Sequence, residues 1–282
     1  MSHMLHLPYI RFVSIFASIW MLIVLPQSGD AQRTPGNPAV GTIAAVGTLV
    51  LHGGGHVSHE LRTAFTQFAG GDQAKIVIVP TADVSTPTDR SRLLDWQRCH
   101  PQSVQLLHAE SREEANREDF SRVLDEATGV WFSGGKQGYL VSVYENTPVI
   151  DRIKKLIDRG GVVGGTSAGA AIASTPMLIY DRMQDGFEFL PGTIIDQHFL
   201  TKGRLPRLQT ARANYPNFVG FGIDEATALV VRGNQIEVLG DSTVTVCLAN
   251  LNNQEQYVRA LKPGDKGDLL ALRQLAKSRH QE

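Results

Sequence analysis

From residue 46 onward the chain alternates between two rhythms of apolar and polar positions. The stretch "GTLVLHGGG" (47–55) is a short apolar run stopped by glycines, which predicts a buried strand. "HVSHELRTAFTQFAGG" (56–71) repeats its apolar residues at helical spacing and closes on glycine, which predicts an amphipathic helix. "KIVIVP" (75–80) is a second strand, "TDRSRLLDWQRC" (88–99) a helix and "SVQLLH" (103–108) a third strand. "SREEANREDFSRVLDEATG" (111–129) opens on Ser111 as a cap with early acids. It then places Phe120, Val123, Leu124 and Ala127 at helical spacing, which predicts one helix. "GVWFSGG" (129–135) reads as a strand. "TPVIDRIKKLIDRGG" (147–161) reads as a helix with Pro148 at its first position and Gly160 past its end, and "GVVGG" (161–165) as the next strand. Strands and helices alternating at these lengths imply parallel β-α-β units with helices on both faces of the sheet.

After residue 190 the texture changes to closely spaced strand-like runs: "GTIID", "VGFGID", "ALVVRG", "QIEVLG" and "STVTVCL". These predict a sheet edge or β-rich extension within the same domain, closed by a short helix, "GDLLALRQLAKSR" (267–279). The amino terminus has a different character. Arg11 precedes the uncharged apolar run "FVSIFASIWMLIVL" (12–25), and Gly29 and Ala31 follow at the spacing a signal peptidase needs. The run is short for a bilayer span, so residues 1–31 are expected to be a cleaved secretory signal, with an uncleaved anchor as the other reading. Residues 32–45 are expected to be a flexible lead, and 46–282 the folded domain. Export also makes a Cys99–Cys247 disulfide chemically available, although Cys247 in its strand-like run reads more simply as a small buried hydrophobe.

Composition narrows the partners. Of 282 residues, 42% are hydrophobic and 20% charged, and 27 basic residues balance 28 acidic ones for a formal net charge of -1. That balance argues against bulk electrostatic binding of nucleic acid, and no stable membrane association is expected once the signal is removed. Homodimer formation is left open.

The candidate chemistry gathers where predicted strands end in polar or glycine-rich turns: "HGGGH", "FSGGKQ" and "GGTSAG". In open α/β sheets, sites lie beyond the carboxyl ends of the strands. Residues 165–169, Gly-Thr-Ser-Ala-Gly, fit a G-x-S-x-G elbow between strand and helix. Small neighbours there let backbone and substrate approach a serine held on a tight turn. On the pattern alone Ser167 is either a nucleophile or a helix cap. A nucleophile needs a base, and among the histidines His198 stands out at the end of "IIDQHF". It also needs an orienting acid. "GFGIDEATALVV" sets Asp224 and Glu225 between two apolar runs, where carboxylates are costly unless paired; a turn acid facing water is the other reading. His52, His56 and His59 lie close together but fall across a strand end and a helix start, and no nearby carboxylate completes a zinc site. Their glycines are expected to shape the floor of the site instead.

In the order "LVLHGGG", "IVIVPTA", "ATGVWFSGGKQ", "GGTSAGA", "IIDQHF" with "KGRLPRL", and "GIDEATALVV", the chain resembles the cyanophycinase-like serine peptidases, relatives of α-aspartyl dipeptidase, over about residues 47–248. The resemblance implies a three-layer αβα fold with a mostly parallel sheet, akin to the class I glutamine amidotransferases. It implies Ser167 as nucleophile, His198 as general base and Glu225 as the acid that orients the imidazole. The backbone N–H groups of Gly135 and Ala168 would form the oxyanion hole, and Gln137, Asp196, Gln197, Lys202, Arg204 and Arg207 would contact substrate. No cofactor or metal is called for.

The substrate the resemblance implies is a peptide of polyaspartate type. Cyanophycin, whose aspartate backbone carries arginine on each β-carboxyl, would be cut to β-Asp-Arg dipeptides; short isoaspartyl or aspartyl peptides are the alternative. A silent binding protein for acidic ligands is the reading from another class, against which the intact triad residues argue. Lys202, Arg204, Arg207 and Arg212, with no acid between Asp196 and Asp224, read as an anion clamp, with a solvated basic helix as the other reading. Two departures bear on this. Lys136 stands where the family pattern has an acid, and Lys202 where arginine is typical; the first reverses a charge suited to substrate arginine.

Overall fold

The computed structural model describes residues 47–249 and 257–281. The expected signal segment and the lead up to residue 45 lie outside these. In chain order the elements are β1 (Thr48–His52), α1 (His59–Phe68), β2 (Lys75–Val79), α2 (Arg92–Gln97), β3 (Ser103–Leu106), α3 (Arg112–Ala115), α4 (Val123–Glu126), β4 (Gly129–Phe132), α5 (Gln137–Tyr144) and α6 (Pro148–Asp158). There follow β5 (Val162–Thr166), α7 (Ala168–Ala171), β6 (Met177–Ile179), β7 (Arg182–Gln184), β8 (Thr193–Gln197), α8 (Leu205–Asn214), β9 (Val219–Ile223), β10 (Thr227–Arg232), β11 (Gln235–Gly240), β12 (Val244–Cys247), β13 (Val258–Leu261), β14 (Lys266–Asp268) and α9 (Leu269–Gln281).

Eight strands form the main sheet in the order β14-β11-β10-β1-β5-β4-β2-β3. The five from β1 to β3 run parallel, as the alternation predicts, while β10, β11 and β14 extend it antiparallel. The late strand-like runs therefore divide. Three elements lengthen the main sheet, and β8, β9, β12 and β13 build a second sheet in which β8 and β9 are parallel.

The layers follow from which side each strand residue faces. On one face Val50, Ile76, Ile78 and Trp131 pack against Leu61 and Phe65 of α1 and Leu93 and Trp96 of α2. There Phe65 meets both tryptophan rings edge-on, with centroids 5.3 Å apart. On the other face Leu49, Leu51, Val77 and Val163 share a core with α5 and α6 and with Phe221, Ile223, Val244 and Val246 of the second sheet. The outer side of that second sheet is covered by α8 through Leu208 and Ala211 against Ile194, Phe199 and Cys247.

Two expectations need correction. The span 111–129 is two short helices, α3 and α4, rather than one. Ser111 does cap, accepting a hydrogen bond from the Glu114 N–H, but "NREDFSR" between the helices supplies no apolar stripe. Ser121 is buried there and its hydroxyl accepts from Arg152. Cys99 and Cys247 are both free, Cys247 being the small buried hydrophobe its strand suggested.

Candidate active site

The carboxyl ends of β1, β4 and β5 lie side by side in one sheet, since His52 is level with Thr166 and Phe132 with Gly165. Ser167 is the first residue beyond β5. Its backbone takes φ 51°, ψ −110°, a conformation that costs about 1–3 kcal/mol and persists only where the surroundings enforce it. The enforcement is local. The Ser167 N–H donates to the His52 carbonyl at 2.9 Å. The helix that follows passes so close to β5 that a Cβ on Gly165 would strike the Gly169 backbone, and one on Gly169 the Phe132 carbonyl. Ser167 makes no side-chain capping bond to α7, so of the two readings of this serine the cap is excluded.

Its partners come from the second sheet. His198 follows the end of β8 and Glu225 follows β9, and because these strands are parallel and paired, both side chains emerge at the same edge. Ser167 Oγ lies 2.8 Å from His198 Nε2, and His198 Nδ1 lies 2.5 Å from Glu225 Oε1. The carboxylate fixes the tautomer: Nδ1 carries the proton it donates to Glu225, leaving Nε2 as acceptor for the serine hydroxyl. Asp224, its neighbour, is occupied elsewhere. Burial alone would raise its carboxyl, but bonds from the Thr201 N–H and hydroxyl and from the Ser242 hydroxyl outweigh this and hold it below the usual range.

The segment 52–55 supports this pair from beneath. The His198 N–H donates to the Gly53 carbonyl at 2.7 Å and the Ala226 N–H to the Gly54 carbonyl at 3.0 Å. Gly54, at φ +114°, sits so close that a Cβ there would fall inside the His198 ring. His52 is buried, its Nδ1 2.8 Å from the Thr166 hydroxyl. Burial, helped by the nearby His198, lowers its pKa to about 4 and so keeps it neutral.

A cleft of about 430 Å³ opens in front of Ser167 and His198. Gly135 and Ala168 are the predicted oxyanion donors; Gly135 lines the cleft with Ser167, Ala168 follows the serine, and among the described residues neither N–H has a protein acceptor. Gln137, Gln197, Lys202, Arg204 and Arg207 all line the cleft, as does Lys136. Asp196 does not. It is fully buried under the wall, where Arg207 grips it with Nε at 3.0 Å and a second, shorter bond from Nη2, and Arg204 Nη1 lies at 3.3 Å. Its place is behind the arginines, orienting both. The fourth member of the predicted clamp is also displaced: Arg212 is buried away from the cleft, donating to the carbonyls of Cys247, Tyr215 and Pro216.

Sequence reasoning missed the far wall. The β6–β7 hairpin brings Leu178, Ile179, Tyr180, Arg182 and Gln184 to the cleft. It is pinned by Gln137 Nε2 to the Leu178 carbonyl at 2.9 Å and by Arg207 Nη1 to the Tyr180 carbonyl at 2.9 Å. The signal was present in "MLIYDRMQ", two short runs about a Tyr-Asp turn, but runs of three residues are below what periodicity resolves.

Comparison with known proteins gives the family. Residues 49–239 match the model of peptidase family S51. The chain belongs to that family. It is thus a serine-type peptidase, a hydrolase acting on a peptide-type substrate. It is 31% identical over 214 residues to a cyanophycinase of Geminocystis herdmanii, covering 70% of this chain and 79% of that one. To a cyanophycinase of a Nostoc species it is 33% identical over 225 residues, covering 73% and 75%. Among solved structures, a peptidase from an acI-B1 Actinobacterium superposes with a TM-score of 0.62 at 25% identity, over 80% of this chain and 98% of that one. The S51 peptidase therefore carries the mostly parallel α/β fold that its sequence resembles.

Proposed function

We propose that this S51 peptidase is exported and hydrolyses peptides with an aspartate backbone through Ser167, His198 and Glu225. The observation that carries the reading is the unbroken chain from Ser167 Oγ to His198 at 2.8 Å and from His198 to Glu225 at 2.5 Å, beside two undonated N–H groups. As Ser167 Oγ attacks the carbonyl carbon, its proton passes to His198 Nε2, and the imidazolium that forms is stabilised by Glu225. The carbonyl oxygen becomes an oxyanion, which the N–H groups of Gly135 and Ala168 receive. His198 then gives the proton to the departing amine as the C–N bond breaks, leaving an acyl ester on Ser167. Water attacks that ester, losing its proton to His198, which returns it to Ser167 as the carboxylic acid product leaves.

Lys202, Arg204 and Arg207 would hold the carboxylates of such a backbone, the two arginines being pre-set by Asp196. Cyanophycin, releasing β-Asp-Arg dipeptides, is the polymer the named relatives suggest. Short isoaspartyl or aspartyl peptides are the second reading, favoured by the cationic lining of the cleft. The test is dipeptide release from insoluble cyanophycin and cleavage of short aspartyl peptides by the wild type and by Ser167→Ala, with a fluorophosphonate as active-site label. Turnover and labelling by the wild type alone support the reading; turnover that survives Ser167→Ala sinks it. Export through a cleaved signal is checked by amino-terminal sequencing of the protein from producing cells, where Gln32 as the first residue is expected and Met1 or Ser2 would refute the cleavage.

A further inference from the structure

Five cationic side chains line the cleft: Lys136, Arg182, Lys202, Arg204 and Arg207. Among the described residues no carboxylate lines it. Behind its wall Asp196 is shared by Arg204 and Arg207, so one negative charge offsets two positive ones there, and Glu225 is engaged by His198. Among the described residues Lys136, Arg182 and Lys202 have no ion-pair partner, and all three are exposed. They reach the cleft from separate elements: Lys136 from the turn after β4, Arg182 from the hairpin pinned to Gln137 and Arg207, and Lys202 from the turn after β8. Unpaired cations converging on a concave site raise the local concentration of anions and repel a guanidinium. A polyaspartate backbone accounts for the part of this charge nearest α8. The charge of Lys136, on the turn after β4, and of Arg182, on the hairpin, is left over.

We infer that Lys136 and Arg182 are specificity-determining residues that select a carboxylate, and reject arginine, at the substrate's branch position. Resting on the aspartyl-peptidase reading above, this narrows the substrate to aspartate oligomers whose β-carboxyls are free or carry acidic or neutral branches. The discrimination is electrostatic in origin, so it weakens as salt rises.

The test uses three tetra-aspartates: one unsubstituted, one with β-linked arginine and one with β-linked citrulline. Arginine and citrulline are almost the same size and both keep a free α-carboxylate, so the pair differs by the guanidinium charge and by one donor exchanged for an acceptor. Binding is measured by calorimetry on the full Ser167→Ala protein, which reads recognition apart from turnover. The unsubstituted and citrullinyl peptides are expected to bind about tenfold or more tighter than the arginyl one at low salt. Lys136→Gln should shrink this ratio, and Lys136→Asp should bring the arginyl peptide level with the citrullinyl one or ahead of it. Arg182→Gln, changed on another element, should shrink the ratio as well.

An arginyl peptide bound as tightly as the citrullinyl one, or no binding of any of the three, overturns the inference. So does a ratio that neither Lys136 nor Arg182 variants move. Cleavage by the wild type is followed alongside. If the binding order holds and none of the peptides is cut, the aspartyl-peptidase reading fails while the charge selection stands.

Discussion

Acidification should loosen this protein through His52. The imidazole is 1% exposed, and burial together with His198 lowers its pKa from 6.5 to about 4. The sign follows from proton counting. Between those two values the unfolded chain holds a proton on this histidine and the folded protein does not, so stability increases with pH across that window and is lost as pH falls through it. A difference of that size corresponds to about 3 kcal/mol when the whole window has been crossed. At pH 5 roughly 2 kcal/mol of it is already gone relative to pH 7. The assay is urea unfolding of the wild type and of His52→Gln at both pH values. Glutamine keeps an acceptor for the Gly54 N–H and a partner for Thr166 but does not titrate. The variant should start less stable at pH 7 and lose about 2 kcal/mol less than the wild type on going to pH 5. Equal losses in the two proteins would refute the reasoning. The consequence reaches the site, because the loop His52 anchors is the one against which His198 rests.

Other outcomes follow from the same geometry. Glu225→Gln removes the charge that fixes the His198 tautomer, and kcat should fall by about 10³–10⁴ with KM little changed; a loss confined to KM would show that Glu225 orients nothing. Gly54→Ala drives a methyl into the His198 ring from a backbone at φ +114°, so kcat should drop by about 10² at a stability cost of about 1–3 kcal/mol; full activity would mean that the ring is not held from this side. Asp196→Asn leaves Arg204 and Arg207 without their shared counter-ion, which should cost about 3–5 kcal/mol in urea unfolding and raise KM. Arg204→Ala should act mainly on KM for aspartyl peptides, and unchanged kinetics would remove Arg204 from substrate recognition.

The parallel half of the main sheet, α1, α6 and the serine elbow were all legible in the chain, because each rests on a rule that works over a few residues. Apolar runs of the right period make the strands and helices, and the packing of glycine on glycine at Gly165 and Gly169 makes the turn. Even the likeness of "IIDQHF" and "GIDEATALVV" to a known pattern singled out His198 and Glu225 before any contact was visible. What the chain by itself left undecided was where these meet. Ser167 belongs to the main sheet, and His198 and Glu225 to the second one. The shared core of Leu49, Leu51 and Val163 with Phe221, Ile223 and Val246, with the backbone bonds of His198 and Ala226 to Gly53 and Gly54, brings the two strand ends together. The same holds for charge. Lys202, Arg204, Arg207 and Arg212 look alike along the sequence, yet Arg212 turns inward to cap backbone carbonyls while Arg182, distant in sequence from all four, swings to the cleft on its hairpin. Local patterning determines which elements form. Which side chains face one another depends on long-range burial of apolar faces, and that information exists only once the sheets have packed.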